Sequence, residues 1–229
     1  MMEAGETMND GEMKNSNLED LRREIDRLDR VILEALSARF GLTSRVAATK
    51  HDGHIFRPGR EADLLRRLLA ENGSDLDPRL IESLWRQIIA FSLAGQKLLT
   101  IAHAGGDAVT ATARYRFGEV ARYLSLDSTA AVFDAVAAGE ADLGVLPHWD
   151  EATWWRDLAA RREAGSSLAI AAVTPLVAES SLAPSAIIAP HMPDPSEADM
   201  TLCCENGAIT VIPGYHAEQP NVVGIFQQR

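Results

Sequence analysis

The feature that most constrains this chain is a 3-4 spaced apolar repeat made by Leu18, Leu21, Ile25, Leu28, Ile32, Ala35, Leu42 and Val46. Side chains at that spacing line one side of a helix with the coiled-coil period. With Asn17 as N-cap and His51-Asp52-Gly53 as the stop, the spacing predicts a helix over 17–50. About 33 residues in a helix span ~50 Å. A compact domain does not bury such a helix alone, so another long helix is expected against it, for which a second chain is one source.

Two shorter helices follow. Pro58 suits the first position of one, with Leu64, Leu65, Leu68 and Leu69 inward and Asn72-Gly73 closing it. Asp77-Pro78 opens the next, whose apolar face is Ile81, Leu84, Trp85, Ile88 and Ile89 and which runs to about Leu98. There the sequence changes character. Short apolar runs at 98–104, 142–146, 168–177, 185–189, 200–203, 209–212 and 222–226 predict strands, and 107–124, 129–138 and 153–164 predict helices. Strand-helix alternation of this kind predicts an α/β layer. The expected fold class is therefore α then α/β: a disordered tail over 1–16, a helical domain over 17–98 and an α/β domain over 99–229.

The formal net charge of the 229 residues is −11. That argues against nucleic acid or an anionic membrane as partner, since both need a basic face. It leaves room for a small anion in a local cationic cluster. The N-terminus has neither a basic nor an apolar leader region, and the longest apolar run, 168–178, is about half a membrane span. A cytoplasmic protein is expected. Cys203 and Cys204 are adjacent and read as two reduced thiols, with no metal site expected. His51 and His54 read as loop residues, and Trp149, Trp154 and Trp155 as packing residues.

Several polar residues interrupt the apolar faces. Arg39 falls in register with Ile25, Ile32 and Val46, and a buried guanidinium needs an anion. That anion could be a carboxylate of a neighbouring helix or a ligand. Lys50 follows three turns later on the same face, about 16 Å along the axis. Arg22 lies ~25 Å before Arg39, too far for one small molecule to touch both within one chain. Two antiparallel copies of the helix would bring Arg22 of one near Arg39 of the other. Ser92 and Gln96 continue the face of the third helix and could bond each other or a ligand. Arg60 and Glu61 lie in the first turn of the second helix, where Arg60 could be solvated and Glu61 also suits the helix dipole. Taken together, inward cations with few inward anions suit a small dicarboxylate.

The run Leu21-Arg22-Arg23-Glu24-Ile25-Asp26-Arg27-Leu28-Asp29, then Arg39, then Val46-Ala47-x-x-Lys50, resembles the first helix of AroQ-class chorismate mutases. Arg57-Pro58-Gly59-Arg60-Glu61 resembles the opening of their second helix, and Ser92-x-x-x-Gln96 the end of their third. The resemblance implies a three-helix domain forming an intertwined helical homodimer that rearranges chorismate to prephenate without a cofactor. It further implies that Lys50 and Gln96 donate to the breaking ether oxygen. Arg39 and the partner's Arg22 clamp carboxylates, aided by Ser92 and Arg60, the backbone at Arg57 meets the substrate, and Glu61 holds the ring hydroxyl. Arg57 stands where some members carry aspartate. Isochorismate pyruvate-lyases share this cluster but place an apolar residue where Glu61 stands here. A non-catalytic chorismate-binding or aromatic-ligand-binding protein is the other alternative.

The second half resembles prephenate dehydratase, which follows a mutase domain in bifunctional enzymes. Ile101-Ala102-His103, Ala113-x-Tyr115-x-Phe117-Gly118 and the run from Val132-Phe133-Asp134-Ala135-Val136 through Gly139-Glu140-Ala141-Asp142-Leu143-Gly144-Val145-Leu146-Pro147 carry that resemblance. It implies a lobe of the periplasmic-binding type. The departures are His148-Trp149-Asp150 in place of Glu-Asn-Ser, an altered glycine turn at Gly105-Gly106-Asp107, and no Thr-Arg-Phe motif. About 130 residues are also few for a full dehydratase. A degenerate lobe without dehydratase activity is expected.

Overall fold

The computed structural model describes residues 10–49, 55–73, 76–178, 180–205, 207–219 and 221–228. Lys50, His51 and His54 lie outside the described residues. The chain divides into two compact units, Met1–His51 and Asp52–Arg229.

The first unit holds α1 (Asp10–Thr49), a single helix of 40 residues. It starts seven residues ahead of Asn17, inside the segment read as a tail. Its apolar stripe is open: Leu21, Ile25, Leu28 and Ile32 are each about half exposed. Arg27 pairs with Glu24 at 2.7 Å on the same helix, an exposed contact of small energetic weight.

The second unit contains α2 (Pro58–Glu71), α3 (Pro78–Ala94), β1 (Thr100–His103), α4 (Gly106–Phe117), β2 (Arg122–Ser125) and α5 (Thr129–Ala137). It continues with β3 (Leu143–Pro147), α6 (Trp155–Glu163), β4 (Ala169–Thr174), β5 (Ser185–Ala189), β6 (Asp199–Glu205), β7 (Ala208–Pro213) and β8 (Val222–Gln227). The helix read over 107–124 stops at Phe117, because Gly118 takes a left-handed φ of 69° and its N–H returns to Arg114 O. The freed residues make β2, parallel to β1. Likewise α3 ends at Ala94, short of Leu98, and Gly95 and Gln96 form a turn.

The strands form one mixed sheet in the order β2-β1-β3-β5-β4-β8-β6-β7. β1 is parallel to both β2 and β3, with α4 and α5 as the crossovers. Beyond β3, only the β4–β8 pair is parallel. Side chains alternate across the sheet, so its two faces build two cores. Ala102 and Ile188 face one core with Val132, Phe133 and Leu158 from α5 and α6. Trp149, Trp154 and Trp155 are packing residues of that core, and Trp154 Nε1 donates to Pro147 O at 3.0 Å. Ile101 and Ile187 face the other core, with Ile89 and Leu93 from α3 and Val109, Ala113 and Phe117 from α4. Each of these valines, leucines, isoleucines and phenylalanines stabilises the fold by about 1.5–3 kcal/mol. Every residue of β4, β5 and β8 is buried, which is why these strands read as unbroken apolar runs. Cys203 and Cys204 on β6 are both thiols.

The sequence changes character at Leu98, but the compact units part between His51 and Asp52. The physical reason is that α3 lays Ile89 and Leu93 on the sheet core, while α2 packs Ala62 and Leu65 against Leu176 after β4.

Candidate functional site

The opening of α2 carries three residues singled out in the sequence, of which it brings Arg57 and Arg60 to one cleft and sends Glu61 elsewhere. Pro58 starts the helix, and Gly59 allows it to abut the segment before β6. A Cβ at Gly59 would lie 2.8 Å from Ser196 Cβ and 3.1 Å from Asp194 O. Arg57 is half-buried and its Nε lies 2.8 Å from Asp194 Oδ2. Arg57, exposed Arg60, Arg67, Asp63, Asp194 and Glu197 line an open cleft of about 630 Å³. Three arginines face three carboxylates there, so the cleft is balanced in charge.

Glu61 turns the other way, into the interior. Its Oε2 accepts from Arg116 Nη2 of α4 and lies 3.4 Å from Arg86 Nη1 of α3. Arg86 Nε and Nη2 also donate to Glu82 Oε1 at 3.2 and 3.1 Å. Glu82 completes the cluster by accepting backbone N–H groups from the loop after β4. Two buried glutamates and two buried arginines thus neutralise one another. Burial, and then the neighbouring Arg116 charge, pull the Arg86 guanidinium down to about 10. Burial pushes the adjacent Tyr115 phenol up, so it stays neutral. Sequence reading missed Arg86, Glu82 and Arg116. A signal was present: Glu82, Arg86 and Ile89 lie on one line of α3, and only the apolar member was read as inward.

At the end of α3, Ser92 Oγ donates to Ile88 O at 2.7 Å. Gln96 Nε2 donates to Ser92 O at 3.2 Å, so the two are joined as their spacing allowed. Arg22 and Arg39 lie on α1 in the other unit. Arg22 is exposed, whereas Arg39 is half-buried and burial holds its guanidinium below the ordinary value. Among the described residues, no group of three His, Cys, Asp or Glu side chains could hold a metal ion. No helix among them is long and apolar enough to cross a membrane.

Comparison with known proteins bears on the same segment. Residues 21–97 match the family model for chorismate mutase type II. A bifunctional chorismate mutase/prephenate dehydratase of Pseudomonas aeruginosa is 33% identical over 139 residues, covering 57% of this chain and 38% of that protein. One of Aquifex aeolicus is 31% identical over 138 residues, again covering 57% and 38%. The chain thus spans under two fifths of the length of these curated relatives. Among solved structures, one described as GqqA, a novel type of quorum quenching acylase, aligns with a TM-score of 0.39 at 15% identity, over 57% of this chain and 95% of that one. By its residues 21–97, the N-terminal part of the chain carries a domain of the chorismate mutase type II family.

Proposed function

We propose that this chain is a chorismate mutase, converting chorismate to prephenate by a [3,3] rearrangement. The observation that carries the reading is the family match over residues 21–97, which encloses Arg22, Arg39, Lys50, Arg57, Arg60, Glu61, Ser92 and Gln96. The reaction transfers no proton and forms no covalent intermediate, so orientation and electrostatics carry the rate. Negative charge grows on the ether oxygen as its C–O bond breaks. In this reading Lys50 and Gln96 donate to that oxygen, Arg39 and the partner's Arg22 hold the carboxylates, and Ser92, Arg57 and Arg60 assist. Glu61 accepts the ring hydroxyl.

The active form in this reading is a homodimer. A helix stripe with Leu21, Ile25, Leu28 and Ile32 half exposed suits a second copy of the same helix. The α/β half is a degenerate lobe of the dehydratase type that does not dehydrate prephenate, since the Thr-Arg-Phe motif is absent from this sequence. One observation favours a second reading, a non-catalytic chorismate-binding protein: the Glu61 carboxylate already holds Arg86 and Arg116.

The test is to follow chorismate absorbance with the purified full chain. Turnover to prephenate is expected. Saturable chorismate binding without turnover would replace the first reading by the second. Phenylpyruvate formed from added prephenate would overturn the assignment of the α/β half.

A further inference from the structure

Arg116 is 2% exposed, on the helix that follows β1, and its polar surroundings are unusual. Its Nη2 donates to Glu61 Oε2, while Nε and Nη1 find no acceptor among the described residues. The guanidinium carbon instead lies 5.4 Å from the centre of the Phe56 ring and 5.3 Å from that of Phe117. A buried arginine with two idle donors is a poor device for stability, and a well-packed apolar residue of similar volume often does better. What Arg116 does accomplish is to fix one oxygen of Glu61.

The Glu61 carboxylate is correspondingly one-sided. Oε2 is engaged by Arg116 and by Arg86 at 3.4 Å. Both arginine hydrogen bonds to Glu61 among the described residues go to Oε2, none to Oε1, and the side chain keeps 9% of its surface exposed. A carboxylate locked through one oxygen and open at the other is a preorganised acceptor for a single hydroxyl.

We infer that Arg116, contributed by the α/β half, is a positioning residue for the mutase reaction, holding Glu61 so that its second oxygen meets the ring hydroxyl of the substrate. This rests on the mutase reading of Glu61 given above. It gives the α/β half a part in the first half's chemistry without a catalytic site of its own. Arg86 alone leaves Glu61 paired at 3.4 Å but without the second constraint on its rotation.

The experiment is a double-mutant cycle on the full chain, with chorismate turnover and thermal melting as readouts. Arg116→Met fills the volume and leaves Glu61 paired with Arg86. Removing one partner of a buried carboxylate is expected to lower Tm, so turnover is read well below the melting transition, where the variant is expected to lose roughly tenfold in kcat/KM, mostly through kcat. In a Glu61→Gln background the same change is expected to cost less than about twofold, because a residue acting through Glu61 has nothing left to position. Arg116→Lys, which keeps a cation, is expected to recover part of the loss and serves as the second variant if Arg116→Met does not fold. Full activity in Arg116→Met, or equal losses with and without Glu61, would overturn the inference while leaving the mutase reading intact. A parent chain that does not turn over chorismate would overturn that reading, and the inference with it.

Discussion

Glu82 on α3 caps Leu176: its Oε1 accepts the Leu176 N–H at 2.7 Å, across 94 positions of sequence. Its Oε2 takes the N–H of Val177 at 2.8 Å, and Oε1 also receives Arg86. One side chain thus ties the third helix to the loop that leaves β4. Removing it strands two buried amide groups and leaves the buried Arg86 guanidinium with only its longer contact to Glu61. Glu82→Ala is expected to destabilise the chain by about 3–5 kcal/mol, and Glu82→Gln by less, since an amide oxygen keeps one acceptor. Urea unfolding of the two variants checks the order. An unchanged midpoint for Glu82→Ala would contradict the role.

Gly224 sits where β8 runs against β4. A Cβ there would fall 2.4 Å from Ile170 Cβ and 2.5 Å from Ile170 O. The second contact is with backbone, which no rotamer change relieves. Gly224→Ala is therefore expected to cost about 1–3 kcal/mol or more, and adding Ile170→Ala is not expected to restore it. Melting temperatures of the single and double variants decide this.

The open stripe of α1 yields an oligomerisation test. Leu28→Glu and Ile32→Glu fall at exposed positions, where an isolated chain tolerates change within about 0.5 kcal/mol. If the stripe meets a second copy, both variants are expected to become monomeric by light scattering and to lose chorismate turnover together. Mixing Arg22→Ala with Arg39→Ala chains is expected to regain activity in the mixed dimers, because one of their two sites keeps both arginines.

His103 provides a pH prediction. Burial, and then the charge of Arg114, hold its imidazole below the ordinary value of 6.5. The folded state therefore binds fewer protons than the unfolded state between the lowered value and 6.5. Stability contributed by neutral His103 is present above that window and is lost as pH falls through it. Wild-type Tm is expected to decline more steeply from pH 7 to 5 than that of His103→Gln. Parallel curves would refute the assignment.

Much of the fold was legible because the inner strands β4, β5 and β8 are buried on both faces. β5 lies at 185–189 as the apolar run predicted, and β3, β4 and β8 lie within a few residues of expectation. β2 was hidden because Arg122-Tyr123-Leu124-Ser125 is short, lies at the sheet edge and is only half covered. The inward face of α3 was misjudged for a different reason. Leu84 is about half exposed, whereas Glu82 and Arg86 are buried, because their charges are met by groups far away in sequence. Local pattern ranks a leucine above a glutamate and cannot see such partners. The same limit applies at the candidate site. The spacing of Ser92 and Gln96 left a mutual bond and a ligand both open, and Gln96 reaches the Ser92 carbonyl rather than its hydroxyl; the pairing of Arg57 with Asp194 and of Glu61 with Arg116 had no local signal.

The way α3 rests on the sheet bears on any attempt to express the mutase segment by itself. A recombinant fragment truncated at Leu98 would leave Phe56, Ile89 and Leu93 without the strands and the helix that now cover them. It would also keep Glu61 and Glu82 while discarding Arg116 and the two amides that neutralise or cap them. Such a piece would have greasy patches beside two acids left to share Arg86 alone, a combination that favours aggregation during purification. Inactivity of that fragment would therefore say nothing about catalysis by the intact polypeptide.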